Sequence, residues 1–109
     1  MTEDDLVDGI AVRTEQDGSR AVLSLTGELD LVSAPRVRSA IGALRADAVD
    51  EIVVDLSGLT YIDSVGIGLL VATRRRLDSE GRRFSVRDPA PQVLRLLEIT
   101  GLVEYLGLH

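Results

Sequence analysis

Residues 51–68 read EIVVDLSGLTYIDSVGIG. Ile52, Val53, Val54 and Leu56 make the first part too dense in β-branched and aliphatic side chains for a half-exposed strand. It reads as a strand buried on both faces, as the centre of a parallel sheet is. Asp55 is expected at its carboxyl end. The turn Asp63-Ser64-Val65-Gly66 then opens a helix predicted over Ser64 to Ser79. Its apolar first half gives way to Arg74-Arg75-Arg76, and Gly81 stops it. The i, i+4 pairs Arg74 to Asp78 and Arg76 to Glu80 mark the second half as a solvated face. A buried strand that feeds directly into a helix is the signature of an α/β fold.

Upstream, Ile10, Val12 and Thr14 alternate with Ala11, Arg13 and Glu15, and Ala21, Leu23 and Leu25 alternate with Val22, Ser24 and Thr26 until Gly27. With Asp17-Gly18-Ser19 between them, these predict an antiparallel hairpin. Ser33-Ala34-Pro35 is a helix start, with Ser33 as the expected cap. Val37, Ala40, Ile41 and Leu44 make one apolar face, opposite Arg36, Arg38 and Arg45. Downstream, residues 83–87 alternate as a strand, and Asp88-Pro89 is expected to cap and open a third helix. Val93, Leu96, Leu97 and Thr100 should form its buried face, with Gly101 at its end. Leu102, Val103, Tyr105 and Leu106 are expected to pack back on the domain. The order is strand, strand, helix, strand, helix, strand, helix. It predicts a mixed, mostly parallel sheet of about four strands with helices packed on it, reached by right-handed crossovers. Residues 1–8 read as a flexible acidic lead-in and residues 9–109 as one domain.

The 109 residues include no Cys, no Lys and no Trp, and the single imidazole is His109 at the chain end. A disulfide framework, a thiolate metal site, a Walker lysine and a lysine Schiff base are therefore ruled out. A Ser-His-Asp triad would have to recruit a terminal residue. Twelve Arg against 18 Asp and Glu leave a net charge of −6, which with only three aromatics argues against nucleic acid. The longest apolar stretch, Val65 to Ala72, is well short of the ~20 residues of a membrane span. The acidic start has no secretory-signal character. The expectation is a soluble cytoplasmic protein with no cofactor and no bound metal.

In open α/β sheets functional groups collect at the carboxyl ends of the strands. Here these ends are expected to bring Glu28, Asp30, Asp55, Asp63 and the Ser64 hydroxyl to one edge. A magnesium-dependent catalytic reading of that cluster lacks a Lys to neutralise phosphate and a base for the hydroxyl. Gly66-Ile67-Gly68 lacks the third glycine of a dinucleotide loop, and Ser64 does not lie in a Gly-x-Ser-x-Gly elbow, because position 62 is Ile. Both glycines still need a reason, since each costs about 1 kcal/mol relative to Ala within a helix. Close packing and close approach by a partner are balanced for Gly68, and partner approach is favoured for Gly66. Ser64 reads either as a plain N-cap or as a phosphate acceptor. A phosphate there would gain from the helix terminus while adding about −1.5 to −2 charge beside Asp63.

The stretch from Asp55 to Gly68 closely resembles the signature of the STAS domain of anti-sigma factor antagonists. Gly27-Glu28-Leu29-Asp30 is similar to that family's second hallmark, and Leu97 to Leu102, reading LEITGL, to the end of its third helix. The resemblance covers about residues 9 to 108. It implies a non-enzymatic domain that binds an anti-sigma factor serine kinase of histidine-kinase-like fold and so releases a sigma factor. It further implies that the kinase phosphorylates the Ser after the signature Asp, here Ser64, and that a phosphatase reverses this. The implied binding surface is Glu28, Asp30, Asp63, Ser64, Val65, Gly66 and Ile67. The family's common second Ser is Val65 here, which leaves one serine at the junction. Asp30 is open between capping the chain and touching the partner, and Ile67 between the interface and the domain's own interior. For Arg74 to Arg76 an acidic partner surface is the alternative to a solvated face. Related domains also serve as scaffolds of stress-signalling assemblies or as soluble regulatory subunits of lipid-transport ATPase complexes. The expected state is a monomer or weak dimer.

Overall fold

A computed structural model describes residues 6–108. The elements are β1 (Ile10–Asp17), β2 (Arg20–Leu29), α1 (Ala34–Gly42), β3 (Glu51–Ile62), α2 (Ser64–Ser79), β4 (Arg83–Arg87) and α3 (Pro91–Ile99). They form one four-stranded sheet in the order β1-β2-β3-β4. The first pair is antiparallel and the other two are parallel. This is the α/β arrangement the sequence order predicts. Among the described residues no helix is long and apolar enough to cross a membrane.

The hairpin closes with Asp17 opposite Arg20, and Gly18 takes the left-handed conformation (φ +63°) that so short a turn requires. Ala21, Leu23 and Leu25 of β2, Ile52, Val54 and Leu56 of β3, and Phe84 and Val86 of β4 bury one face of the sheet. Val37 and Ile41 of α1, Leu70 and Leu77 of α2, and Val93 and Leu97 of α3 complete that core. Two successive parallel crossovers of the same hand, stepping in the same direction, put α1 and α2 on one side of the sheet. The alternate residues Ser24, Val53, Asp55 and Arg87 take the other face. Val53 is fully buried there, so the centre of β3 is covered on both faces as its composition predicts.

The largest difference from the sequence reading is the length of β2 and β3. Gly27 does not end β2, which runs on to Leu29, and Asp55 is not at the carboxyl end of β3, which runs on to Ile62. Between Ser24 and Thr26, β3 uses three steps (Asp55 to Gly58) against two, and between Gly27 and Glu28 it uses two (Leu59 to Tyr61) against one. Each bulge flips the alternation of side chains. The buried residues beyond Val54 therefore fall at Leu56, Leu59 and Ile62, a spacing of three that no regular strand shows.

The helix termini differ too. Ser33 occupies the N-cap position of α1 but its hydroxyl caps nothing, being turned back to the preceding loop. α3 starts at Pro91 with Ala90 as N-cap and no side-chain cap, while Asp88 sits at φ +52° in the loop before it. Pro91 holds the residue before it out of the helical region (Ala90 ψ 153°), so the helix cannot open at Asp88-Pro89. Thr100 is exposed, its hydroxyl bonded to the Leu96 carbonyl at 2.9 Å, because Gly101 (φ +72°) has already turned the chain. The Leu102 N–H donates to the Leu97 carbonyl and the Gly101 N–H to Glu98, which closes a Schellman motif.

The amino ends of β3 and β4 are tied by Arg82, whose side chain is 4% exposed. Its Nε donates to the Val49 carbonyl and one Nη to the Leu44 carbonyl, both at 2.8 Å, while the other pairs with Glu80 at 2.7 Å. Arg74 is not wholly solvated. It bonds Asp78 at 3.0 Å, stacks over the Tyr105 ring at 5.4 Å and donates to the Tyr105 carbonyl, so it holds the C-terminal tail against α2. Leu106 of that tail is fully buried and its carbonyl accepts from the Val86 N–H along the edge of β4.

Candidate functional site

Two loops meet at the carboxyl end of the sheet. The first follows β2. Gly27 sits at φ +109°, and a Cβ there would lie 2.3 Å from the Gly9 carbonyl oxygen, so no other residue fits. The Glu28 N–H donates to that same oxygen at 2.9 Å. Beyond it, Asp30 accepts from the N–H groups of Val32 and Ser33, both at 3.0 Å. The Ser33 hydroxyl donates to the Glu28 carbonyl at 2.7 Å and accepts from the Asp30 N–H at 2.9 Å. Of the two roles open to Asp30, its carboxylate is seen to cap the chain that enters α1. The closed loop buries Leu29 and leaves Leu31 and Val32 exposed, at 69% and 63%.

The second loop is the start of α2. Asp63 is the N-cap, and its carboxylate accepts from the Gly66 N–H at 3.0 Å. Ser64 is thus the first helical residue and not the cap. Its side chain is exposed and its hydroxyl makes no hydrogen bond among the described residues. The Asp63 N–H donates to the Leu29 carbonyl at 3.2 Å, which joins the two loops. Gly66 is buried between them: a Cβ would meet the Leu29 oxygen at 2.7 Å and the side chains of Leu29 and Ile62 at 2.8 Å. Packing on Leu29 accounts for this glycine, contrary to the partner approach its position in the first turn suggested. Gly68 is the reverse case. It is exposed, and a Cβ there would meet nothing within 4 Å. One helical turn from Ser64, it lies on the same face of α2. Val65 and Ile67 are half-buried against the core.

Glu28, Asp30, Asp63 and Ser64 thus share one edge, with Glu28 opposite Tyr61 in the sheet. Asp55 does not join them. Its partner Ser24 lies five residues before Leu29, the partner of Ile62, which puts Asp55 about 17 Å back along the sheet, on the face away from the helices, where Arg87 pairs with it at 3.0 Å. Burial pushes the Asp55 carboxyl up, but the Ser57 N–H and hydroxyl and the Arg87 guanidinium outweigh it and hold the group below the usual aspartate range. Among the described residues no three carboxylates or imidazoles are arranged to hold a metal ion. His109 and residues 1–5 lie outside the described residues. Leu31, Val32, Tyr61 (49% exposed) and Ile99 (71% exposed) are apolar residues at this end of the molecule that sequence reasoning passed over. The signal for the first two was available, as a Leu-Val pair between a capping Asp and Ser follows no strand or helix period.

The comparisons with known proteins agree with this fold. A protein-family model described as "Mlab, STAS domain" matches residues 12–108. The anti-sigma-F factor antagonist RsfB of Mycobacterium tuberculosis is 34% identical over 95 residues, which cover 87% of this chain and 77% of that one. The crystal structure of an anti-sigma factor antagonist from Mycobacterium paratuberculosis superposes with a TM-score of 0.82 at 35% identity, covering 94% of this chain and 86% of that one. The Bacillus cell fate determinant SpoIIAA, an anti-sigma factor antagonist solved in unphosphorylated and phosphorylated forms, gives TM-scores of 0.77 and 0.71 at 26% and 25% identity. Each of those matches covers 91% of this chain, against 88% and 91% of the respective SpoIIAA chains. Such antagonists are regulators and not enzymes. By family match, sequence relatives and fold together, the chain belongs to the STAS-domain anti-sigma factor antagonist family.

Proposed function

We propose that this protein binds an anti-sigma factor that is also an ATP-dependent serine kinase, thereby freeing a sigma factor, and that phosphorylation of Ser64 switches the binding off. The observation that carries the reading is the Ser64 hydroxyl: exposed, without a hydrogen bond in the protein, and relieved of capping by Asp63. A serine that held the helix start together could not be modified without loosening it. This one can. The kinase would transfer the γ-phosphoryl group of ATP to the Ser64 oxygen, with the hydroxyl proton passing to a base of the kinase and ADP leaving. A phosphatase would hydrolyse the ester and restore the surface. That SpoIIAA is known in both phosphorylated and unphosphorylated forms supports a switch of this kind in the family.

The physics is local. A phosphate at the first residue of α2 is favoured by the helix terminus, so the fold should tolerate it. Its added charge of about −1.5 to −2 joins the carboxylates of Glu28, Asp30 and Asp63 on one edge of a chain whose net charge is already −6. The partner surface therefore changes while the domain does not. Gly68 fits the same reading, because an exposed glycine with empty space around it leaves room for a partner's backbone. Asp30 and Gly66 serve by fixing the two loops, and Glu28, Ser64, Val65 and Ile67 supply contact. The complex is expected to form from a cytoplasmic monomer or weak dimer.

The test is a binding assay with purified histidine-kinase-like anti-sigma ATPases from the same genome, with and without ATP, followed by phosphopeptide mapping. Phosphate on Ser64 and loss of the complex are expected. Ser64→Ala should stay bound in the presence of ATP, and Ser64→Glu should bind at least about tenfold more weakly, with an unchanged thermal midpoint. Phosphate elsewhere, or a Ser64→Glu protein that unfolds, overturns the reading. Stable capture of a transporter ATPase in place of any kinase would favour the lipid-transport alternative.

A further inference from the structure

Beyond the two loops, the same end of the molecule holds an open cleft of about 340 Å³ between the last residues of β3 and α3. Ile62, Val93 and Leu96 line it, Tyr61 and Ile99 flank it, and Arg95 lies along it. Gln92 donates to the Thr60 carbonyl at 3.3 Å, so the two walls are fastened to each other. Single exposed apolar residues are ordinary. Here Ile99, the most exposed large apolar side chain among the described residues, and the half-exposed Tyr61 stand on one cleft, and Arg95 beside them makes no ion pair among the described residues, in a chain of net charge −6. An apolar recess with a free guanidinium selects an apolar group that has an anion next to it.

The cleft is continuous with the proposed switch. Tyr61 is opposite Glu28 in the sheet and two residues before Asp63. The exposed residues at the start of α2, Ser64 and Gly68, carry no large apolar side chain, and a stable interface of about 800 Å² per partner usually needs a buried apolar anchor. We infer that this cleft is a second docking point for the same anti-sigma kinase, receiving an apolar side chain of the kinase with a carboxylate beside it. This rests on the function proposed above. A second copy of the chain fits less well, since a two-fold axis through the cleft would bring Arg95 against its own equivalent.

The experiment uses the full chain with the purified cognate kinase and reads amide hydrogen exchange together with the affinity of two variants, Arg95→Glu and Ile99→Asp. Both side chains are exposed, so both variants should keep the wild-type thermal midpoint. On complex formation, protection is expected over residues 60–62 and 92–99 as well as 63–68, and each variant should weaken binding about tenfold or more. Protection confined to residues 63–68, or variants that bind like the wild type while Ser64→Glu does not, overturns the cleft and leaves the proposed function standing. Protection of the cleft that rises with the concentration of this chain alone means a second copy occupies it, which also overturns the inference. If the wild type binds no kinase at all, the proposed function falls and this inference falls with it.

Discussion

The two ends of the sheet are built on opposite principles. At the amino ends of β3 and β4, a buried arginine gathers two loop carbonyls and a glutamate, and no buried polar side-chain atom among the described residues is left without a partner. At the carboxyl ends, the backbone is fixed by Gly27, Gly66, Asp30 and Asp63, yet a hydroxyl, four apolar side chains and a cleft are left open. The first end spends its chemistry on the fold. The second holds its frame with backbone contacts and keeps its side chains for something else. The switch proposed for Ser64 suits that end because the Ser64 hydroxyl makes no hydrogen bond among the described residues.

That contrast can be broken at several points. The largest effect on stability is expected at Arg82. Arg82→Leu leaves the Leu44 and Val49 carbonyls buried without a donor, and should cost about 3–5 kcal/mol in urea unfolding; a loss below about 1 kcal/mol would mean that this end is not anchored as described. Gly66→Ala tests whether the frame of the open end is equally rigid. Its Cβ would sit 2.7 Å from a backbone oxygen, and strain of about 1–3 kcal/mol is expected, with the loops displaced and partner binding reduced. A Gly66→Ala protein as stable as the wild type would show that the loops can part.

Smaller effects sharpen the picture. The Asp55 carboxyl is held below its ordinary value of 3.8. A depressed acid stabilises the folded state above its unfolded pKa, and that contribution is lost as pH falls through the folded value. Acidification from about pH 4 downward should therefore cost the wild type stability that Asp55→Asn does not lose, as read by unfolding at stepped pH. Equal acid sensitivity in the two proteins would rule out the Arg87 pair as a stabilising contact. Gly68→Ala is the one change expected to stabilise the fold, by about 0.5–1 kcal/mol, while weakening partner binding. Stabilisation without any loss of binding would make Gly68 an unused surface position.

The fold was legible because its signals are local. The hairpin turn at Gly18, the β-branched run Ile52 to Val54, and Gly81 and Gly101 after their helices each act within a few residues, and all were read in place. The run of β3 beyond Leu56 was not, because two bulges reset its phase and only pairing with β2 reveals where they fall. Asp55 was misplaced for that reason. Gly66 and Gly68 were weighed by helix position alone, which cannot tell a glycine packed on Leu29 from one facing open space.

By itself, then, the sequence determined the order and type of the elements, the two hallmark loops and the serine between Asp63 and Val65, since periodicity, turn chemistry and motif spacing are written along the chain. Only the tertiary structure decided that Asp63 caps α2 in place of Ser64, that Ser33 and Asp30 lock the first loop, that Arg82 closes the far end, and that Tyr61 and Ile99 share a cleft with Arg95. Those outcomes depend on which backbone groups meet across strands far apart in sequence, and register and close approach are fixed by the packed whole.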